Sequence, residues 1–172
     1  MRIIVNPAAA VGRVGREWGR VAPILEELGV KAEVVFTERP WHAISLAEQA
    51  VRDGHELVVA VGGDGTVCQA ASGLFRSGGG ALGILPIGTG NDVARTLGIP
   101  LDVREAARVV LDGHRRQVDL IRIGDYLVLN AIGVGLLGDI NTRAARIKRI
   151  RGIVGYLGTA YNPFIVEGAG AQ

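Results

Sequence analysis

The chain has 172 residues, 48% of them hydrophobic and 21% charged, with a formal net charge of +2. That hydrophobicity excludes intrinsic disorder, and 26 glycines without a triplet period exclude a collagen-like rod. A single cysteine, Cys68, excludes an internal disulfide framework and a cysteine-based zinc site, and the near-balanced charge gives no reason to expect a nucleic-acid partner. In chain order, residues 2–5 read as a short apolar strand, without the longer apolar core of a signal peptide, and Asn6-Pro7 turns the chain. Trp18, Val21, Ile24, Leu25 and Leu28 fall at helical spacing, which predicts a helix over 14–28 stopped by Gly29. Residues 32–36 predict a second strand, and Pro40 opens a second helix that runs to Gly54. Residues 57–61 form a continuous apolar run, as expected of a strand buried on both faces of a parallel sheet. A turn at Gly62-Gly63-Asp64-Gly65 leads to a helix over 66–75, then a strand over 82–85 and a turn over 88–90. Helices over 92–97 and 103–111 complete the alternation. Repeated β-α units predict an α/β fold, a parallel sheet with helices on both faces.

The pattern then changes. Residues 117–123 and 126–132 read as two strands joined at Gly124-Asp125, a hairpin signal. The expected division is a nucleotide-binding α/β domain over 1–114 and the start of a β-rich second domain over 115–172. That second region is too short to bury Tyr156, Leu157, Tyr161 and Phe164 by itself, so it is expected to pack on the first domain, on another chain or on further sequence, and to be incomplete as a domain. No apolar run reaches the roughly 18 residues of a transmembrane helix, and a cytoplasmic location is expected.

The strongest chemical signal is Gly62-Gly63-Asp64-Gly65-Thr66, after a buried strand and before a helix. The first amides of a helix lack internal partners and carry partial positive charge, which suits an anion. Glycines let backbone approach a phosphate without a Cβ, and Thr66 adds a hydroxyl. Asp64 would repel a phosphate unless Mg²⁺ bridges the two or the carboxylate takes a proton from a nucleophilic hydroxyl. The plainer alternative is a tight turn with Asp64 as a helix cap. Gly88-Thr89-Gly90-Asn91-Asp92 repeats the strand-turn-helix setting, with Asn91 as the expected cap. Both turns fall at the carboxyl edge of the predicted sheet, where ligands bind in open α/β folds. No Walker A sequence is present, so cationic help for a phosphate must come from arginines such as Arg13, Arg16 or Arg95.

These segments together resemble the diacylglycerol kinase catalytic domain family, which includes bacterial lipid kinases and sphingosine kinases. The resemblance rests on Asn6-Pro7, on Thr37-Glu38-Arg39-Pro40 with His42-Ala43, on Gly62 to Thr66 and on Gly88 to Asp92. Val118-Asp119-Leu120 and Asn130 to Gly135 resemble the entry to that family's second domain. The resemblance implies a nucleotide domain similar to those of NAD kinase and 6-phosphofructokinase. It also implies transfer of a phosphoryl group from ATP, with Mg²⁺, to a lipid alcohol. Nucleotide contacts are implied for Asn6, Thr37, the stretch from Gly63 to Gln69, and Thr89. Asp64 is the local candidate for the catalytic carboxylate, and the metal ligands are left unassigned. The family usually has Asn-Glu where this chain has Cys68-Gln69, often has Gly at Ala10, and carries a late Asp-Gly-Glu that is absent here. Two other readings stay open: a nucleotide-binding module without turnover, and an NAD-kinase-like enzyme. Arg143, Arg146, Lys148, Arg149 and Arg151 form a basic cluster that suits a membrane surface or a solvated helix face. A homodimer is also left open.

Overall fold

The computed structural model describes residues 1–123 and 126–129, all within one unit, Met1–Asn130. Four strands, β1 (Arg2–Val5), β2 (Glu33–Phe36), β3 (Leu57–Gly62) and β4 (Ala81–Pro86), form a parallel sheet in the order β2-β1-β3-β4. The helices are α1 (Ala9–Glu27), α2 (His42–Arg52), α3 (Asp64–Arg76), α4 (Asp92–Leu97) and α5 (Val103–Asp112). Alternate residues of the central strands feed two separate cores. Ile4, Val58, Ala60 and Ile84 face Ala43, Ala47, Ala50, Val67, Ala70 and Leu74 from α2 and α3. Ile3, Val5, Val59, Val61 and Leu85 face Val14, Val21, Leu25, Ala106 and Ala107 from α1 and α5. Continuous apolar runs are what such a two-sided sheet requires, so the expected α/β architecture is the observed one.

Small side chains let α2 and α3 approach closely. A Cβ on Gly73 would run into the carbonyl oxygen of Ile44 and stand 2.7 Å from the Ala47 Cβ. On the other face Trp18 meets Phe36 edge-on, with ring centroids 5.8 Å apart. Trp41 is instead 59% exposed, with φ 65°, at the start of α2. The helix therefore opens at His42 and not at Pro40.

At the amino edge of the sheet, Arg2 is buried, and its Nη2 reaches Glu33 Oε2 and Asp53 Oδ2, each at 2.7 Å. His55 Nε2 stands 3.0 Å from the same Glu33 oxygen. Burial works against the Arg2 charge, but hydrogen bonds to Glu33 and Asp53 more than offset it and hold its pKa above the ordinary value. Hydrogen bonds from Arg2, aided by His55 at Glu33 and by Gln49 at Asp53, hold both carboxyls below the usual range.

Other boundaries differ from the sequence expectation as well. α1 as a whole starts at Ala9, but Ala10, Val11 and Gly12 make a left-handed turn with φ of 51°, 57° and 75°, so its regular helix runs from Arg13, one residue before the expected start. α3 begins at Asp64, since the Gly63 carbonyl already accepts from the amides of Thr66 and Val67. The two late strands, β5 (Ile121–Ile123) and β6 (Tyr126–Val128), pair antiparallel but are shorter than expected. Residues 117–120 stay outside the ladder, and Gly124-Asp125 and 130–132 lie outside the described residues. Among the described residues no helix is long and apolar enough to cross a membrane.

Candidate functional site

Strand order decides where a ligand fits. From β1 the chain passes to β2 on one side and returns to β3 on the other, so the order reverses between β1 and β3. Open α/β sheets bind ligands in the crevice that this reversal leaves at the carboxyl ends of the strands. The sequence-predicted residues gather there. Asn6 follows β1, Thr37 follows β2, Gly62 to Thr66 close β3 and open α3, and Gly88 to Asn91 follow β4. Thr37 is fixed by its amide, which donates to the Val5 carbonyl at 2.9 Å. Gln69 lies one turn further along α3, half-buried.

Asn6 and Thr66 span the crevice. Asn6 Nδ2 donates to Thr66 Oγ1 at 2.9 Å, while Asn6 Oδ1 accepts from the Ala8 amide at 3.2 Å. Thr66 is only 2% exposed and is pressed against Gly62, where a Cβ would stand 2.6 Å from its Oγ1. Gly62 is thus required by the threonine. The two glycine turns also touch. The Ile87 amide donates to the Gly62 carbonyl at 2.9 Å, and a Cβ on Gly88 would fall on the Cα of Gly63. Bare backbone from two loops and the N-terminus of α3, which has no side-chain cap, therefore form one surface. Such a surface can take a polyphosphate.

Asn91 differs from its expected role. It stands at the N-cap position of α4, yet its φ is 55° and its side chain makes no cap bond. Asn91 Oδ1 instead accepts from the Gly88 amide at 2.8 Å, and Nδ2 donates to the Gly88 and Pro86 carbonyls at 3.0 and 3.4 Å. It ties the second loop into a knot. The cap of α4 comes from the other loop: Asp64 Oδ1 accepts from the Val93 amide at 2.9 Å. Asp64 is a helix cap after all, but for α4 and not for its own helix.

The second Asp64 oxygen has company that the sequence reading missed. Asp64 Oδ2 and Asp92 Oδ2 lie 3.2 and 3.3 Å from the position of a Cβ on Gly90. The signal for Asp92 was its place next to Asn91, but an acid in the first turn of a helix looks like ordinary dipole complementation. No group of three or more His, Cys, Asp or Glu gathers among the described residues. Two hard oxygen donors from adjacent loops still fit Mg²⁺, which takes one or two carboxylates and completes its shell with phosphate and water.

All three nominated arginines hold loop carbonyls. Arg13 Nη2 donates to the carbonyls of Ile87 at 3.0 Å and Gly88 at 2.7 Å, and Arg95 Nε donates to the Gly90 carbonyl at 3.1 Å. Arg16 Nη1 bonds the Val11 carbonyl at 3.2 Å, within its own loop. Cys68 is half-buried beside this site, and burial pushes its thiol up, with Asp64 acting in the same direction. A cavity of about 870 Å³ lies elsewhere, along the outer edge of β4, where Leu74, Leu82, Ile84, Val109 and Val110 line it. The basic cluster from Arg143 to Arg151 and the stretch from Asn130 to Gly135 lie outside the described residues.

The sequence profile of the diacylglycerol kinase catalytic domain matches residues 1–123. The chain is similar to the diacylglycerol kinase of Staphylococcus haemolyticus strain JCSC1435, 32% identical over 157 residues that are 90% of this chain and 48% of that protein. It is also similar to the diacylglycerol kinase of Staphylococcus aureus strain MRSA252, at 31% identity over 90% of this chain and 50% of that protein. Among solved structures it resembles a diacylglycerol kinase from Bacillus anthracis strain Sterne. That match has a TM-score of 0.63 and 29% identity, and covers 73% of this chain and 44% of the other. The chain spans about half the length of the curated relatives it matches.

Proposed function

The chain belongs to the diacylglycerol kinase catalytic domain family, a family of lipid kinases, and from that premise we propose that it binds ATP across the β1/β3 crevice and serves phosphoryl transfer to a lipid hydroxyl. The observation that carries this reading is the direct backbone contact of the two glycine turns beside the Asn6–Thr66 bridge. Phosphoryl transfer asks a protein for positioning and charge neutralisation more than for covalent chemistry. The amides of Gly63, Asp64 and Gly65 at the start of α3, with Thr89 and Gly90 opposite, would hold phosphate oxygens. Asn6 and Thr66 fix the spacing between β1 and β3, and Thr37 and Gln69 border the crevice. Asp64 and Asp92 would hold Mg²⁺, whose bound form neutralises charge on the phosphates. Alternatively, Asp64 would orient the acceptor hydroxyl and accept its proton, a role that its one free oxygen cannot combine with holding the metal. The acceptor alcohol would come from a membrane surface, with the basic cluster from Arg143 to Arg151 as the proposed contact.

A second reading, nucleotide binding without turnover, is favoured by Cys68-Gln69, which supplies no carboxylate where the family resemblance places Asn-Glu. One experiment separates the two. Titration with Mg-ATP is paired with a labelled-phosphate assay using diacylglycerol in mixed micelles, for the wild-type chain and Asp64→Asn. The kinase reading expects binding by both proteins and transfer by the wild type, reduced at least 100-fold in the variant. Binding without transfer by the wild type supports the second reading. No nucleotide binding at all refutes both.

A further inference from the structure

The Arg13 guanidinium is directed at protein and not at open space. Its Nη2 reaches two successive carbonyls, Ile87 and Gly88, across 74 and 75 residues of sequence. Its Nε is buried without a hydrogen-bond partner among the described residues, 3.6 Å from Glu17 Oε1. Nε keeps only this loose ion pair with Glu17 while Nη2 makes two hydrogen bonds, so the loop carbonyls and not the i,i+4 pair hold the fork. The left-handed turn over Ala10, Val11 and Gly12 sets the start of the regular helix, and Arg13 is the first residue after it.

The two carbonyls determine which way the loop's amides point. In a planar trans peptide the C=O and the following N–H point in opposite directions. Holding the Ile87 carbonyl turns the Gly88 amide away from Arg13, and that amide does find Asn91 Oδ1 on the other side, at 2.8 Å. Holding the Gly88 carbonyl must likewise turn the Thr89 amide away from Arg13. Thr89 is exposed, and Gly88 beside it is buried against Gly63. Asn91 Nδ2 also donates to the Gly88 carbonyl, at 3.0 Å, so the Thr89 N–H is a pre-oriented donor whose direction is set from two sides, by Asn91 within the loop and by Arg13 from another element.

We propose that Arg13 is a positioning residue that locks the Gly88–Thr89 peptide plane, so that the Thr89 amide is presented to the terminal phosphates of a bound nucleotide. The role for nucleotide rests on the ATP-binding reading above; the lock on the peptide plane does not. Arg13 thus acts through the second loop and need not touch the ligand.

The test pairs hydrogen–deuterium exchange over residues 86–91 with Mg-ATP and adenosine titrations of the full chain, for wild type, Arg13→Ala and Arg13→Lys. Loss of two charge-assisted bonds should speed exchange of the loop by about tenfold or more in Arg13→Ala. Mg-ATP affinity should fall by about the same factor while adenosine affinity stays, because only the phosphate contacts depend on the loop. Lysine keeps the charge but replaces the fork by one nitrogen, so Arg13→Lys should lie between the two. If Arg13→Ala fails to fold, Arg13→Lys decides by the same readings. Wild-type exchange in either folded variant overturns the lock. Faster exchange with unchanged Mg-ATP affinity overturns the role in binding. A wild-type chain that binds no nucleotide refutes the ATP reading and the binding role with it, while exchange still decides the lock.

Discussion

Replacing Gly88 by Ala tests the contact between the two loops. The new Cβ would fall on Gly63 Cα and stand 2.6 Å from Asn91 Oδ1, and any approach under 3.0 Å forces something to move. Gly63 offers backbone and not a flexible side-chain tip, so the loops must part by about 1 Å to restore ordinary contact. Overpacking of this kind costs about 1–3 kcal/mol, which for a domain of this size lowers the melting temperature by roughly 3–10 °C. The chemical penalty should be larger. For the phosphoryl transfer proposed above, a misplacement of about 1 Å can reduce kcat/KM by about 100-fold. Calorimetric melting and the labelled-phosphate assay measure the two effects separately, and Mg-ATP titration reports the change in binding. Gly19→Ala is the stability control: nothing lies within 4 Å of a Cβ there, in mid-α1, so the variant should gain about 0.5–1 kcal/mol. If Gly88→Ala melts with the wild type and binds Mg-ATP equally well, the loops are not held in contact in solution and the crevice must be rebuilt on other grounds.

Three other perturbations probe the frame. Gly73→Ala should lower the urea midpoint by the equivalent of about 2–3 kcal/mol, because its Cβ meets the Ile44 carbonyl oxygen; an unchanged midpoint would mean that α2 and α3 are packed more loosely than described. Val11→Gly should raise stability by about 1 kcal/mol, since an exposed β-branched residue at φ 57° gains from losing its Cβ, and thermal melts would register the change. Glu33 and Asp53 release protons more readily in the folded chain, through their bonds to Arg2, so their stabilisation is complete above the unfolded carboxylate range and is lost as pH falls below about 4. Arg2→Met should flatten that acid limb in pH-resolved melts; an unchanged slope would place the acid sensitivity elsewhere.

The parallel sheet was readable because a strand buried on both faces has to be apolar throughout, and residues 57–61 meet that condition without help from the rest of the chain. The glycine turns were readable for a similar reason, since close backbone approach leaves few alternatives to glycine. The side chains that organise the turns were not. Asn91 and Asp92 looked like an ordinary helix start, whereas the α4 cap comes from Asp64, 29 residues earlier, and Asn91 works on the loop behind it. Arg13 was foreseen as a cation near phosphates, but nothing local indicates that its partners are the carbonyls of Ile87 and Gly88. Where Ala10 stands in place of the family's frequent glycine, the structure gives the reason for that preference: its φ is 51°. Pairings across long sequence separations leave no periodicity to read, and they are where the sequence reading stopped.

The tie between Asp64 Oδ1 and the Val93 amide makes one carboxylate a shared component. With that oxygen engaged, Oδ2 is the one left free to face incoming chemistry, so Asp64 offers one oxygen instead of a chelating pair. The same tie makes the short α4 segment a mechanical reporter of the carboxylate's state. Drawing electron density toward Oδ2 weakens the anchor at Val93; Asp64→Ala removes both services together, whereas Asp64→Asn keeps an oxygen that can accept from Val93. A dead Asp64→Ala variant would therefore be dead for two intertwined reasons, and an amide signal at Val93 would tell them apart.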